Sequence, residues 1–283
     1  MDAATRPYRS VLYIPGSKER ALDKARGLPV DAIIFDLEDA VTPDAKPAAR
    51  DTLKAALTQG GYGDKARIIR INGLDTEWGA DDAKVLKDAD AHAFLLPKVN
   101  SAADVQALAD IVGDADIWCM IETPLGVFNA LEIAAHPSVK GFVAGTNDLA
   151  KELNCRSRDD RLPMMFALQQ MLLAARAHGV VCVDGVYNQY LNEEGLAVEC
   201  EQGRDLGFDG KTLIHPAQVE GANKAFAPTE AEIDLARRQI AAHEEIERTG
   251  QGVAVVDGKI VENLHVETAL KTLAKADAIA KMG

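Results

Sequence analysis

Short apolar runs recur along the chain, and each ends in ionisable or glycine-bearing residues: VLYIPGS, IIFDLEDAV, RIIRING, AFLLPKV, IWCMIETPLG, GFVAGTNDL, VVCVDGVY and KTLIHP. Runs of about four to six β-prone residues bounded in this way predict strands. The predicted strands are 11–14, 32–36, 67–71, 93–96, 117–121, 141–144, 180–184 and 211–214. Longer stretches between them read as helices. One spans 101–112, where Ser101 can cap, Asp104 takes the third position, and Val105, Leu108 and Ile111 follow a helical period. Strand and helix alternate without tandem strands, which predicts parallel βα units, and eight units close a TIM-type (β/α)8 barrel. The rival is a doubly wound open sheet, but no GxGxxG loop follows the first strand. In an α/β barrel the site is built where the carboxyl ends of the strands meet the βα loops. The residues that close each run are therefore the candidates for chemistry.

The pattern changes after Pro216. A helix over about 217–225 completes the eighth unit, and Thr229 followed by Glu232 is a capping-box signature opening a helix to about 248. Two β-prone runs then flank Asp257-Gly258, a strong short hairpin signal, and a last helix is predicted over about 266–281. The expected division is a barrel over 1–226 and an extension of helix, β-hairpin and helix over 227–283. The extension is too short to fold alone, so it is expected to dock on the barrel or on a neighbouring subunit.

Composition narrows the class. At 283 residues the chain fits one barrel of about 250 residues plus an appendage. Hydrophobic residues make up 47% and aromatics only 5%, so the core must be built from aliphatic layers. A formal net charge of -13 repels polyanions, and nucleic-acid binding is not expected. No stretch approaches the roughly 18 apolar residues of a membrane span, and the opening MDAATRPYRSVLYIPG has no uninterrupted apolar segment. A soluble cytoplasmic protein is the expectation. Cys119, Cys155, Cys182 and Cys200 form no CxxC pair and read as neither a disulfide framework nor a zinc site.

Glu122 and Asp148 follow the fifth and sixth predicted strands. Neighbouring strands lie about 4.8 Å apart, so carboxylates just past their ends can reach one cation together, and two hard oxygen ligands suit Mg²⁺. The alternative is that both are helix-start acids. Gly145, Thr146 and Asn147 lie beside them in GTNDL, where Gly145 and Thr146 are expected to expose backbone amides. Arg70 ends the third strand and can grip a substrate carboxylate in bidentate fashion or pair with a barrel acid such as Asp36. Glu38 and Asp39 offer a second acidic pair, one to hold a metal-bound water and one to orient Arg70, or else both are solvated loop acids. Lys98 is a remote candidate for a Schiff-base lysine. His215 can donate to a substrate or merely pack its loop. Near the N-terminus Arg6, Arg9, Lys18, Arg20, Lys24 and Arg26 reverse the local sign of charge, either to attract an anionic ligand tail such as a polyphosphate nucleotide or as ordinary solvated charges.

Taken in order, RSVLYIPGS, DLEDAV, RING, LPKV, IETPLG, GTNDL and GFDGKTLIHP resemble the citrate lyase beta-subunit-like family, which includes malyl-CoA lyases and thioesterases. The resemblance implies an α/β barrel, usually trimeric, that binds Mg²⁺, with Mn²⁺ as a substitute, and a short acyl-CoA carrying a hydroxyl and a carboxylate. By motif Glu122 and Asp148 look like the metal ligands, Arg70 the carboxylate clamp, and Glu38 and Asp39 the supporting acids. Arg9, Lys18, Arg20 and His215, with Gly145, Thr146 and Asn147, are expected around the substrate. The segment GKIVENLH is similar to the family's lid over a neighbouring active site, which usually carries an aspartate; here Glu262 stands in that place. One more methylene moves a carboxylate by roughly 1 Å, enough to cost about a hundredfold in rate. The expected outcome is hydrolysis of (3S)-malyl-CoA to malate and CoA. The alternatives are carbon-carbon cleavage to acetyl-CoA and glyoxylate or pyruvate, and a carrier-dependent subunit within a complex.

Overall fold

A computed structural model describes residues 6–250 and 252–282. The chain divides into two compact units, Tyr8–Phe226 and a second built mainly on residues 227–282. In the first, eight strands form a closed barrel in chain order: β1 (Ser10–Pro15), β2 (Ala32–Asp36), β3 (Ala66–Arg70), β4 (Ala93–Leu96), β5 (Asp116–Ile121), β6 (Val139–Ala144), β7 (Val181–Asp184) and β8 (Gly210–Leu213). Every pairing around the ring is parallel, and β8 closes on β1. Parallel strands need crossovers, and the helices between them supply these.

Side-chain alternation sorts each strand into two faces. One set, including Val11, Ala32, Ile34, Ile68, Leu95, Trp118, Met120, Val143 and Val183, packs as a cluster inside the ring. The intervening residues, such as Ile33, Phe35, Ile69, Phe94, Cys119 and Phe142, join the helices in a larger outer layer. Both faces are therefore apolar, which is why the strands read as unbroken runs rather than alternating ones. Two positions above Ile34, Ile68, Met120 and Val143 the inner series reaches Asp36, Arg70, Glu122 and Gly145. The inner series thus ends in polar side chains at the carboxyl rim of the barrel.

Local signals act where the pattern places them. Ser101 and Asp104 form a capping box on the helix Ala102–Val112, and Thr229 and Glu232 do the same for Glu230–Thr249. In the second unit β9 (Val255–Val256) and β10 (Lys259–Ile260) pair antiparallel across Asp257 and Gly258, both at positive φ, followed by the helix Asn263–Met282. A two-residue turn with positive φ at both positions matches strand twist, and Gly258 adopts it without steric cost. Among the described residues no helix is long and apolar enough to cross a membrane.

Candidate active site

A cavity of about 340 Å³ opens at the carboxyl end of the barrel, lined among others by Tyr13, Asp36, Arg70, Met120, Glu122 and Asp148. Glu122, just past β5, is only 1% exposed. Its Oε1 accepts the Lys98 backbone N–H at 2.7 Å, and Lys98 holds a left-handed φ of 52°. A non-glycine residue in that region costs roughly 1 kcal/mol or more, so the loop is held there by its surroundings. Burial first, then the charges of Glu38 and Asp148, push the Glu122 carboxyl up to about 8, although the Lys98 N–H opposes them.

Gly145 shapes the same spot. A Cβ at that residue would lie 2.3 Å from the Glu122 Cβ and 2.5 Å from its Oε2, so only glycine admits the carboxylate. Asp148 lines the cavity with Glu122, and its charge adds to the rise of the Glu122 carboxyl. No cluster of three or more His, Cys, Asp or Glu poised to hold a metal exists among the described residues. A cation here would take two protein carboxylates and complete its sphere with water and substrate oxygens, as Mg²⁺ prefers. A buried carboxylate made costly by its neighbours, beside backbone cleared of any Cβ, fits such an ion.

Arg70 sits differently from the bidentate substrate clamp expected of it. Its Nε and Nη2 donate to the two oxygens of Asp36 at 2.7 and 2.6 Å, so the paired edge of the guanidinium is already engaged by the protein. Nη1 remains, 2.8 Å from Glu38 Oε2 and 3.4 Å from Asp39 Oδ2. Glu38 in turn accepts from Lys98 Nζ at 2.9 Å. Burial pushes the Glu38 carboxyl up, against the pull of Arg70. Burial depresses the Lys98 ammonium, but its pairing with Glu38 outweighs this and holds it above the ordinary lysine range. A lysine kept protonated is no Schiff-base nucleophile, so the structure speaks against that reading.

Other candidates scatter. Arg9 precedes β1 at the opposite, amino end, where its backbone and guanidinium bind Asp31 at 2.7–2.9 Å. A strand length, roughly 20 Å, separates it from the cavity, which corrects the expectation that it meets substrate. Lys18 and Arg20 are exposed in and after the loop following β1, on the side of the site. Asn147 lines the cavity and exchanges amide hydrogen bonds with Asn188 at 3.2 and 2.8 Å. Thr146 lines it too, but the Gly145 N–H is spent on Ile121 O, so that amide is not on offer. His215 caps the turn Pro216–Gln218 through Nδ1 and stacks 4.7 Å from Tyr190, whereas its neighbour Ile214 faces the cavity. Glu262, in the second unit, is exposed and its N–H donates to His265 Nδ1 at 2.9 Å.

Several residues of the site carry no motif in the sequence. Tyr13, Met120 and Thr212 lie inside the apolar runs, and period-two counting back from Pro15, Glu122 and Ile214 would have placed them in the cavity. Lys46, buried, donates from Nζ to the carbonyls of Leu37 and Glu38 at 3.0 and 2.8 Å and so shapes the loop that carries Glu38. No spacing signals that contact.

Comparison with known proteins adds an independent finding. The profile of the HpcH/HpaI aldolase/citrate lyase family matches residues 9–216. A (3S)-malyl-CoA thioesterase of Cereibacter sphaeroides is 64% identical over 277 residues, covering 98% of this chain and 97% of that protein. The citrate lyase subunit beta of Escherichia coli is 35% identical, covering 96% and 94%. Among solved structures, the CitE protein of Mycobacterium tuberculosis in complex with magnesium, acetoacetate and coenzyme A superimposes with a TM-score of 0.80 at 31% identity, covering 96% of this chain and 99% of that one.

Proposed function

Because the chain belongs to the HpcH/HpaI aldolase/citrate lyase family, we propose that it is a Mg²⁺-dependent hydrolase of a short 3-hydroxy-dicarboxyl-CoA thioester, (3S)-malyl-CoA, giving malate and free CoA. The observation that carries this reading is the 64% identity to a (3S)-malyl-CoA thioesterase over 98% of the chain, barrel and extension alike. Glu122 and Asp148 hold the ion, for which Mn²⁺ is an adequate substitute. When bound, it supplies a Lewis acid that polarises substrate oxygens and neutralises the carboxylates. Glu38 and Asp39, joined to Arg70, fix the guanidinium so that Nη1 faces substrate and place an attacking water. In the net reaction that water's oxygen bonds to the thioester carbon, the C–S bond breaks, and the sulfur leaves with a proton.

Thr146 and Asn147 form the wall of the acyl pocket, and Lys18 and Arg20 meet the anionic end of CoA. Glu262 serves as the carboxylate of a lid over residues 227–283. The same reading includes a homotrimer, which rests on the family resemblance. It also includes a cytoplasmic setting, supported by four unpaired cysteines, Cys119, Cys155, Cys182 and Cys200.

The similarity to citrate lyase subunit beta favours a second reading, cleavage of the carbon-carbon bond. Incubating the protein with (3S)-malyl-CoA and Mg²⁺ and measuring free thiol and glyoxylate separately decides between them. Thiol without glyoxylate is expected; stoichiometric glyoxylate with acetyl-CoA would overturn hydrolysis. Glu262→Asp is expected to raise glyoxylate formation, because it restores the shorter reach, and an unchanged product ratio would remove Glu262 from the argument.

A further inference from the structure

Two hydrogen-bond donors on different strands aim at one poor acceptor on the cavity wall. The Tyr13 hydroxyl, from β1, lies 3.9 Å from Met120 Sδ, and Arg70 Nη1, from β3, lies 3.7 Å from the same sulfur. A thioether accepts only weakly, so the Tyr13 hydroxyl is left short of a good partner, whereas Arg70 Nη1 also reaches Glu38 and Asp39. The hydroxyl has no better acceptor among the described residues. Its ring is held in place, with the Arg70 guanidinium carbon 4.9 Å from the ring centroid. Met120 itself is an unbranched side chain with three rotatable bonds, a filler that can yield its place.

The electrostatics explain why a neutral donor is useful here. Arg70 is already matched by Asp36 on its paired edge and by Glu38 at Nη1, so its net pull on an incoming anion is small. A phenol carries no counter-charge to cancel it. Burial pushes the Tyr13 hydroxyl well above the ordinary phenol range, while Arg70 opposes that rise, so the group remains a donor throughout the working range of pH.

We propose that Tyr13 and Arg70 Nη1 together form a two-point receptor for the terminal carboxylate of the acyl chain, with Met120 as the group that gives way, and that Tyr13 sets the preference for a carboxylate over a methyl group at that end. This inference rests on the acyl-CoA reading of the site given above. It also explains how a guanidinium whose bidentate edge is taken by Asp36 can still help to bind a carboxylate.

The test uses succinyl-CoA and butyryl-CoA, which have the same length and differ by a carboxylate against a methyl at the far end. Dissociation constants are measured by calorimetry in Mg²⁺ for the wild-type protein and for Tyr13→Phe, which removes a single oxygen. Loss of a hydrogen bond to a charged group predicts about a tenfold weakening for succinyl-CoA. Butyryl-CoA should change less than about twofold, because no hydrogen bond to it is lost. Unchanged binding of succinyl-CoA, or equal weakening of both ligands, would overturn the assignment, the latter because it would mark the phenol as a packing group. Thiol release from (3S)-malyl-CoA by the wild-type protein is followed in parallel. A wild type that releases none fails the functional reading on its own, whereas an active wild type whose Tyr13→Phe variant keeps its carboxylate preference fails only this inference.

Discussion

Two ionic clusters lie on opposite faces of the same barrel, each with a buried carboxylate at its heart, and they are built to opposite ends. On the outer face Asp184, at the end of β7, pairs in register with Lys211 on β8. Lys211 Nζ lies 3.1 Å from Asp184 and 2.6 Å from Glu199, and Arg161 Nη1 lies 2.7 Å from Asp184. Two acids meet two bases, and the group is sealed between the sheet and the helix Glu193–Leu206. On the inner face Asp36, Glu38, Asp39, Glu122 and Asp148 gather around Arg70 and Lys98, so acids exceed bases. Burial pushes the Asp184 carboxyl up, yet Lys211 and Arg161 overcome it and leave it below the ordinary range. Glu122 is buried almost as deeply but has no such partner, and its carboxyl rises to about 8. The difference teaches that burial does not distinguish structure from function here. Charge balance does, because a balanced cluster needs no further ion, whereas an acid surplus in a cavity calls for a cation.

The sharpest way to break this contrast is Lys211→Met, which leaves Asp184 buried with only part of its compensation. A loss of about 3–5 kcal/mol in unfolding free energy is expected, read by urea titration. A loss below about 1 kcal/mol, the range of exposed pairs, would show that the outer cluster contributes little. Next comes Glu122→Gln, which should lower Mg²⁺-dependent thiol release by about 10²–10³-fold while leaving the fold intact. Its thermal midpoint without Mg²⁺ should equal or exceed that of the wild type at pH 8. A variant that loses stability instead would place Glu122 with the structural cluster.

The last comparison is the pH dependence of stability, where the two carboxylates have opposite signs. Asp184 has a depressed folded pKa, so its contribution is present above the unfolded value and is lost as acid titrates it. The folded pKa of Glu122 is raised from 4.5 to about 8. Its protonated form favours the fold below the unfolded value, and that advantage declines between those limits by at most about 1.4 kcal/mol per pH unit. Thermal melts of the Mg²⁺-free protein should therefore fall across that window, and the slope should flatten in Glu122→Gln or with saturating Mg²⁺. Equal slopes in all three samples would remove Glu122 as their source.

Much of this was legible in the chain. The apolar runs marked all eight strands to within about two residues, since both faces of a parallel barrel strand are buried and local composition suffices. Ser101 with Asp104 and Thr229 with Glu232 announced helix starts by purely local hydrogen bonding. Glu122, Asp148, Arg70 and Asp39 stood out because they end or closely follow strands, where this architecture collects its site. Arg9 was misplaced for a reason of the same kind. A cluster of like charges in the sequence says nothing about which end of a strand each residue flanks, and Arg9 lies before β1 whereas Lys18 lies after it.

What the sequence by itself determined was the kind of element each segment forms and which acids reach the rim, because period, capping and strand-end position are properties of a few neighbouring residues. Only the tertiary structure decided that the paired edge of Arg70 belongs to Asp36 and that Tyr13 and Met120 line the cavity. It alone decided that Lys211 completes a sealed cluster rather than joining the site. Those outcomes depend on which side chains from distant parts of the chain share a small volume of low polarity. There the balance of charge is set by the company a residue keeps, and not by its own run of neighbours.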